Sequence, residues 1–219
     1  MVIGDVVGSR HAPDRADLDR ALRAALVVAN AAVAAEEPLA PTIGDEFQGF
    51  FRTAVDAVHA TLLVRASMGA YDVRFGLGMG DVVRLGAEGE RFRRQDGPAW
   101  WAARDAIEHV ASGRVPKSLR TWLAVSPPEH AKGQHTFPFL AVASGDPAAA
   151  AVNAYLVTRD QLVSEMDDRD RRILLGLVLG RSVTEIAEQE GVTPSAVSQR
   201  SRRSGAAAVA YAHATLAGW

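Results

Sequence analysis

Apolar residues in this chain occur either as short continuous runs or as longer stretches with helical spacing. Residues 1–9 form an apolar run that carries one aspartate and ends in Gly-Ser, which predicts a buried strand. In residues 13–37, Leu18, Leu22 and Leu26 fall on one stripe, which predicts a helix. The same criteria predict, in order, a hairpin over 42–51, a helix over 53–69, a strand over 72–85 and a helix over 98–113.

This order of elements predicts an α+β fold. A strand, helix, hairpin, helix, strand and helix in succession match a ferredoxin-like sandwich, with helices on one face of a mostly antiparallel sheet. The glycines within 72–85 indicate that a backbone neighbour or a ligand packs closely there. Pro38 and Pro41 are expected to flank the turn into the hairpin, and short strands are predicted at 122–125 and 137–143.

Helical patterns replace strand patterns towards the end of the chain. The α+β domain is predicted to span residues 1–145, and residues 146–166 are predicted to form a connecting helix. Residues 167–219 are predicted to form a separate all-α domain.

Two aspartates lie where predicted strands end. Asp5 belongs to the first apolar run, and Asp45 follows Gly44 at the tip of the predicted hairpin. If the two carboxylates converge, their hard oxygen atoms suit Mg²⁺ or Mn²⁺ together with a bound triphosphate. Alternatively, Asp5 caps the first helix or pairs with an arginine, and Asp45 with Glu46 forms a solvated hairpin tip.

Composition narrows the possible classes of protein. The chain has 219 residues, of which 48% are hydrophobic, so it can bury a sizeable core. Its net charge of −2 gives no overall positive field, and any nucleic-acid contact has to be local. The lack of cysteine excludes disulfides and thiolate sites. No apolar stretch approaches the roughly 18 residues of a membrane span, and the start lacks a signal-peptide pattern, so we expect a cytoplasmic protein without a membrane partner.

The C-terminal residues have the spacing of a helix-turn-helix. Ser182 and Glu185 have capping-box spacing, Gly191 indicates a tight turn, and Thr193 with Pro194 indicates the start of the next helix. The small predicted core is Ile186, Ala187, Val192 and Val197. Residues 206–216 are expected to extend the last helix.

The predicted recognition helix carries side chains suited to DNA. Ser195, Ser198 and Gln199 suit base edges, whereas arginine suits phosphates. The candidate phosphate contacts are Arg200, Arg202 and Arg203, and Arg202 also lies on the recognition face. Residues 167–219 hold seven arginines against six acidic residues, so a homodimer would be needed for high affinity. The alternative is a helix-turn-helix used for protein docking or dimerisation.

Several segments resemble class III nucleotide cyclases. The matching segments, in the cyclase order, are Asp5-Val6-Val7-Gly8-Ser9, Thr42-Ile43-Gly44-Asp45-Glu46-Phe47, the segment 73–82 and Ala102-Ala103-Arg104. The tetrad Gly44 to Phe47 also resembles the signature of diguanylate cyclase domains. Taken together with its C-terminal part, the whole chain most resembles the SatD family of bacterial proteins.

The resemblance implies a nucleotide cyclase-like palm domain. In such a domain, Asp5 and Asp45 would hold two divalent ions on a nucleoside triphosphate. The other nucleotide contacts implied in this part of the chain are Val6, Val7, Gly8, Ser9 and Gly44. Arg104 falls where a cyclase places its transition-state arginine, which usually serves the site of the partner protomer.

Two positions depart from the cyclase pattern. Trp100 replaces the asparagine expected to orient the ribose, and Pro41 replaces the lysine that reads adenine. Trp100 is expected either to stack on a base or to pack in the core or at a dimer interface. These departures argue against efficient cyclisation.

These observations favour a two-part regulator. We expect a homodimer whose first domain binds metal and a nucleotide signal and whose C-terminal helix-turn-helix binds DNA. The first alternative is an active nucleotidyl cyclase or related phosphoryl-transfer enzyme that uses Asp5 and Asp45. The second is a catalytically degenerate dimeric scaffold.

Overall fold

The structure, a computed structural model, describes residues 1–42, 44–85, 94–126 and 146–218. Its strands are β1 (Val2–Val6), β2 (Glu37–Pro41), β3 (Glu46–Phe50), β4 (Val73–Met79), β5 (Val83–Leu85), β6 (Arg94–Asp96) and β7 (Thr121–Val125). Five of them form a sheet in the order β2-β3-β1-β4-β7, in which only the β4–β7 pair is parallel, and β5 pairs with β6. This confirms the predicted α+β class and the mostly antiparallel sheet. The strand predicted at 137–143 lies outside the described residues.

The described residues also form eight α-helices. They are α1 (Arg15–Ala32), α2 (Ala54–Ser67), α3 (Pro98–Ala111), α4 (Pro147–Ser164), α5 (Asp168–Val178), α6 (Val183–Glu190), α7 (Pro194–Arg203) and α8 (Ala206–Ala217). None of these helices combines the length and apolar character needed to cross a membrane. The predicted N-caps of α6 and α7 are confirmed: Ser182 forms a capping box with Glu185, and the Thr193 hydroxyl accepts from the Ala196 amide.

Two local predictions of secondary structure are wrong. Residues 206–216 do not continue α7, because Gly205 adopts a left-handed conformation with φ 82° that ends one helix before α8 begins. Pro38 and Pro41 do not flank a turn, because both lie within β2. The outermost strand of a sheet tolerates proline, since its unpaired side needs no amide hydrogen.

Helices cover both faces of the sheet. Along β4, Phe75 and Leu77 belong to the core shared with α1, α2 and α4, whereas Gly76 and Gly78 face the backbone of α3. The prediction of helices on one face is therefore wrong for α3. The close approach expected from the strand glycines is confirmed, and its cause is a backbone neighbour.

We expect Gly78→Ala to destabilise the fold strongly. A Cβ at this position would lie 1.9 Å from the Ala99 carbonyl oxygen and 2.4 Å from the Ala103 amide nitrogen, so α3 would have to move. The free energy of unfolding should fall by at least about 2 kcal/mol, as measured by urea titration. The exposed neighbour Met79 provides the control, since Met79→Ala should change stability by less than about 0.5 kcal/mol. Equal effects of the two substitutions would contradict the close packing.

Helix α4 covers the open edge of β7 with polar side chains. The Asn153 side chain accepts from the Leu123 amide at 2.9 Å and donates to the Leu123 carbonyl at 2.8 Å. Further along α4, Asp160 Oδ2 accepts from the amides of Arg120 and Thr121, both at 2.7 Å. An exposed edge strand invites pairing with another chain, and α4 satisfies these backbone groups within the protein.

The C-terminal helices are anchored on α2 and α4. One apolar cluster joins Leu62 of α2 and Val163 of α4 to Leu174 of α5 and to Ala206 and Val209 of α8, and all five side chains are buried. The ring of His213 in α8 also lies 4.5 Å from the ring of His59 in α2, measured between centroids. The predicted division at residue 167 stays a prediction, but the helices that follow that residue share a core with those that precede it.

The buried His213 should make stability depend on pH. Burial, followed by repulsion from His59 and Arg159, lowers its pKa from 6.5 to about 4. As the pH is lowered below 6.5, His213 becomes protonated in the unfolded chain, whereas in the folded chain it stays neutral until about pH 4. The free energy of unfolding therefore decreases as the pH is lowered through this range. The loss should reach about 2 kcal/mol at pH 5.

Urea titrations between pH 7.5 and 5 measure this effect. His213→Leu should lose much less stability over the same range, because neither ring nitrogen of His213 has a hydrogen-bond partner among the described residues. An equally steep loss in the variant would show that other groups cause it.

Candidate functional site

Three charged residues lie side by side across the central strands. In the antiparallel register, Asp5 of β1 is opposite Glu46 of β3 on one side and Arg74 of β4 on the other. Residues directly opposite each other project from the same face of a sheet, and this is the face that α3 covers. The fold therefore brings two carboxylates and one guanidinium into a single row.

Two arginines hold these carboxylates through paired hydrogen bonds. Arg74 donates to both oxygens of Asp5, at 2.8 and 2.7 Å, and Arg104 of α3 donates to both oxygens of Glu46, at 2.9 and 3.1 Å. The hydrogen bonds that Arg74 donates to Asp5 and that Arg104 donates to Glu46 are the main causes that raise the pKa of each arginine. Of the alternatives for Asp5, pairing with an arginine is the one observed.

A cavity of about 390 Å³ opens beside this row of charges. Five predicted site residues line it: Asp5, Val6, Gly8, Ser9 and Asp45. Asp5 and Asp45 therefore lie at one cavity, and their role as metal ligands stays a prediction. The other four lining residues are Arg10, His11, Glu46 and Arg74.

The backbone of the turn after β1 is largely engaged within the protein. The Val7 amide donates to the Asp72 carbonyl at 2.8 Å, and the carbonyls of Gly8 and Ser9 accept from His11 and Ala12. Gly8 has φ 70°, a conformation that favours glycine at the point where the chain leaves the strand. The Val7 amide is therefore not available for the phosphate contact that the resemblance implies.

Four predicted residues lie outside the cavity lining: Val7, Gly44, Trp100 and Arg104. Gly44 shapes the hairpin tip with φ 73°. The guanidinium carbon of Arg104 lies 5.1 Å from the ring centroid of Trp100, so the tryptophan supports the arginine that holds Glu46. Arg104 therefore holds Glu46, a residue that lines the cavity of its own chain.

The donor types in the cavity suit a hard divalent cation, although the protein groups do not form a complete metal site. Among the residues that the structure describes, no group of three or more His, Asp or Glu side chains is arranged to hold a metal. Both oxygens of Asp5 already accept from Arg74, and Asp45 is half-buried. Mg²⁺ and Mn²⁺ are commonly held by one or two carboxylates plus substrate phosphates. The donor set therefore fits an ion that arrives with a phosphate ligand.

Sequence reasoning missed the roles of Glu46 and Arg74. Each occupies the same alternating face as Asp5, but this becomes visible only once the strand register is known. Arg74 pairs with Asp5, the candidate metal ligand.

Helices α6 and α7 form a second candidate site. They are joined by Gly191, Val192 and Thr193 and pack on α5 around Ile173, Ile186, Ala187 and Val197, all buried. The predicted core is confirmed, with Val192 partly buried against it. Gly176 of α5 allows this packing, since a Cβ there would lie 2.7 Å from Ile186 Cγ1.

The outer side of α7 carries most of the residues predicted to contact DNA. Ser195, Gln199 and Arg202 are exposed at the spacing i, i+4 and i+7, which forms one stripe, and Arg203 is exposed beside it. Ser198 is half-buried, and its carbonyl accepts from Arg202 Nε at 3.1 Å. These five side chains lie on one short helix.

Arg200 is engaged inside the module. It donates to Asp170 at 2.7 Å and to Asp167, and both of these acids belong to the first turn region of α5. Its contacts hold α7 against α5, so Arg200 lies apart from the exposed stripe. By contrast, the exposed Arg181, which precedes α6 and contacts Gln189 at 2.6 Å, was not singled out from the sequence.

Comparison with known proteins identifies a family for the first half of the chain. The model described as the SatD family matches residues 1–119, which is more than half of the chain. The match includes Asp5, Asp45 and Arg104, whereas β7 and α4 to α8 lie beyond it. No curated protein and no solved structure matches the chain.

Proposed function

The chain belongs to the SatD family, and from that premise we propose that it is a regulator that binds DNA through α6 and α7. We further propose that the cavity beside Asp5 binds a nucleotide together with a divalent cation. The first part rests on the geometry of the C-terminal helices, and the second on the charges of the cavity.

The observation that carries the DNA-binding proposal is the exposed polar stripe of α7. A closed apolar core holds α7 across α6, as in a helix-turn-helix, and leaves Ser195, Gln199 and Arg202 facing outward. Short hydroxyl and amide side chains are suited to base edges, and arginine is suited to phosphate. Because Arg200 forms ion pairs with Asp167 and Asp170, few positively charged side chains remain on the exposed face of α7.

This small number of cations favours a dimer. Each phosphate contact contributes a modest, salt-dependent share of the affinity, so two recognition helices on successive major grooves, about 34 Å apart, bind far better than one. The homodimer expected from the sequence is part of this proposal.

The charges of the cavity favour a nucleotide that brings its own cation. Asp5, Asp45 and Glu46 face Arg10 and Arg74 in the cavity, and Arg104 neutralises Glu46 from outside it. The local charge is therefore close to balanced, and a triphosphate entering alone would add several negative charges. A bound Mg²⁺ or Mn²⁺ would offset that charge, with Asp5 and Asp45 as its protein ligands.

Binding is favoured over turnover. A two-metal phosphoryl transfer needs carboxylate lone pairs for both ions. Arg74 already takes one lone pair on each oxygen of Asp5, which leaves room for the single ion of the binding proposal. Trp100, in the position of the cyclase asparagine, packs against Arg104, and its indole has one N–H donor in place of the donor and acceptor of an amide.

DNA binding can be tested with two substitutions on α7. Arg202→Ala should weaken binding to duplex DNA of any sequence and reduce the slope of log affinity against log salt by about 1. Gln199→Ala should instead weaken binding to a selected site by about tenfold and leave random DNA nearly unchanged. Fluorescence anisotropy, with sites selected from a random-sequence pool, measures both effects.

Matched controls come from exposed positions outside α6 and α7. Arg20→Ala on α1 and Gln161→Ala on α4 should bind DNA as the wild type does. If no duplex is retained at low salt, or if the α7 variants match their controls, α7 is not a DNA-binding helix and protein docking becomes the better account.

Nucleotide binding can be tested by calorimetry with the four ribonucleoside triphosphates and Mn²⁺. Asp5→Asn and Asp45→Asn should each weaken metal-dependent binding by about tenfold or more, since each removes a charged ligand. Asp19→Asn, an exposed position on α1, is the control. Binding that is unaffected by either site substitution would refute this cavity as the site, and pyrophosphate release that requires both aspartates would establish an enzyme.

A further inference from the structure

A second, strongly basic cavity lies where the sheet meets the C-terminal helices. It measures about 320 Å³ and lies among the end of α2, the starts of β4 and β7, the end of α4 and α5. Its charged lining consists of Arg65, Lys117, Arg120 and Arg171, with Asp72 as the opposing acid. Four cations thus face a single carboxylate.

Arg65 lines this cavity although its side chain is almost fully buried, at 2% exposure. Its terminal nitrogens donate to Asp160 at 2.8 Å and to Ser164 at 2.7 Å. Its Nε has no hydrogen-bond partner in the described part of the chain, since the nearest carboxylate oxygen, on Asp72, is 3.9 Å away. Leaving a buried, charged N–H without a partner costs free energy, and the charge of an anion bound in the cavity would offset part of that cost.

Arg171 provides a second donor of the same kind from α5. Its Nη1 donates to the Gly69 carbonyl at 2.8 Å, and its buried Nε has no partner among the described residues. One guanidinium from α2 and one from α5 therefore line one cavity, and the Nε of each lacks a hydrogen-bond partner among the described residues.

The surrounding charges leave the cavity short of acceptors. Asp160, the partner of Arg65, also accepts two hydrogen bonds from Arg159. Asp72 accepts from Arg120 Nε at 2.5 Å, so the one acid in the lining is already engaged. Burial is the main cause that lowers the pKa of Arg65. The charges of Asp160 and Asp72 partly oppose this shift, and the positive charges of Arg159 and Arg120 add to it.

We propose that this cavity binds the phosphate group of a small molecule, held by Arg65, Arg171, Arg120 and Lys117. A phosphate offers three or more acceptor oxygens, which suits several converging donors, and arginine matches its geometry. The phosphates of duplex DNA do not reach a side chain as buried as Arg65, so the ligand is small. The cavity is large enough for an ester as well as for free phosphate.

This site is independent of the proposed nucleotide and DNA sites, because it uses none of their residues. Its ligand would join the sheet layer to α5, the helix on which α6 and α7 pack. Occupancy would therefore tighten the attachment of the C-terminal helices to the rest of the protein.

The test is a calorimetric titration of the full chain in EDTA, without DNA, with inorganic phosphate and with ribose 5-phosphate. EDTA removes the divalent cations that the proposed nucleotide site requires. A failure of phosphate binding to the basic cavity is therefore distinguishable from a failure of nucleotide binding beside Asp5. Arg171→Gln should weaken phosphate binding by about tenfold or more, since it removes a charged hydrogen bond. Tighter binding of orthophosphate would identify the free ion as the ligand, and tighter binding of the ester would identify a phosphorylated metabolite.

Arg169→Gln is the matched control, because Arg169 lies on the same helix and contacts Glu190 outside the cavity. A second pair, Lys117→Gln against the exposed Arg114→Gln, covers the case in which Arg171→Gln fails to fold; Lys117→Gln should weaken binding by about threefold. The proposal is overturned if neither probe binds at millimolar concentration, or if the controls weaken binding as much as the cavity variants.

Discussion

The buried carboxylate of Asp160 is the constraint on which the assembly of this protein depends. Its side chain has no exposure, and it accepts from Arg65, from Arg159 and from the amides of Arg120 and Thr121. A charge so buried is tolerated only when every lone pair has a donor, and removing one partner of such a group costs about 3 to 5 kcal/mol. The contacts come from α2, α4 and β7, so α4 fits against the sheet in one position only.

That position of α4 determines where the C-terminal helices lie. Val163 and Met166, at and just beyond the end of α4, contribute to the apolar cluster that holds α5 and α8, while Leu62 contributes from α2. The polar network fixes the geometry, because hydrogen bonds have strict directions, and the apolar cluster supplies area, because burial is not directional. The two arginines around a single aspartate also leave an excess positive charge at this junction.

Short-range chemistry explains which features were predictable from the sequence. The capping box of Ser182 and Glu185 and the start of α7 at Thr193 and Pro194 depend on residues within one helical turn, and both were predicted correctly. The convergence of Asp5 and Asp45 also followed from the pattern, because it needs only a strand end and a hairpin tip.

The features that were missed depend on long-range geometry. Arg74 meets Asp5 across 69 positions of sequence, and only the register of β1 and β4 brings them together. The placement of α3 on the face opposite α1 and α2 depends on Gly76 and Gly78 of β4, which lie against the backbone of α3. Arg200 looked like a phosphate contact because its acidic partners lie 30 and 33 positions away. Charged side chains were therefore the least predictable part of both candidate sites.

Asp72 physically connects the two cavities of the sheet layer. Its backbone carbonyl accepts from the Val7 amide, in the turn that borders the cavity beside Asp5, at 2.8 Å. Its carboxylate accepts from Arg120 in the basic cavity and from its neighbour, the Val73 amide, at 3.0 Å. A phosphate that draws Arg120 away from Asp72 would free one carboxylate oxygen next to a backbone group that positions the Val7 turn. The two sites thus meet at one residue, whose backbone contacts the turn beside one cavity and whose side chain lines the other.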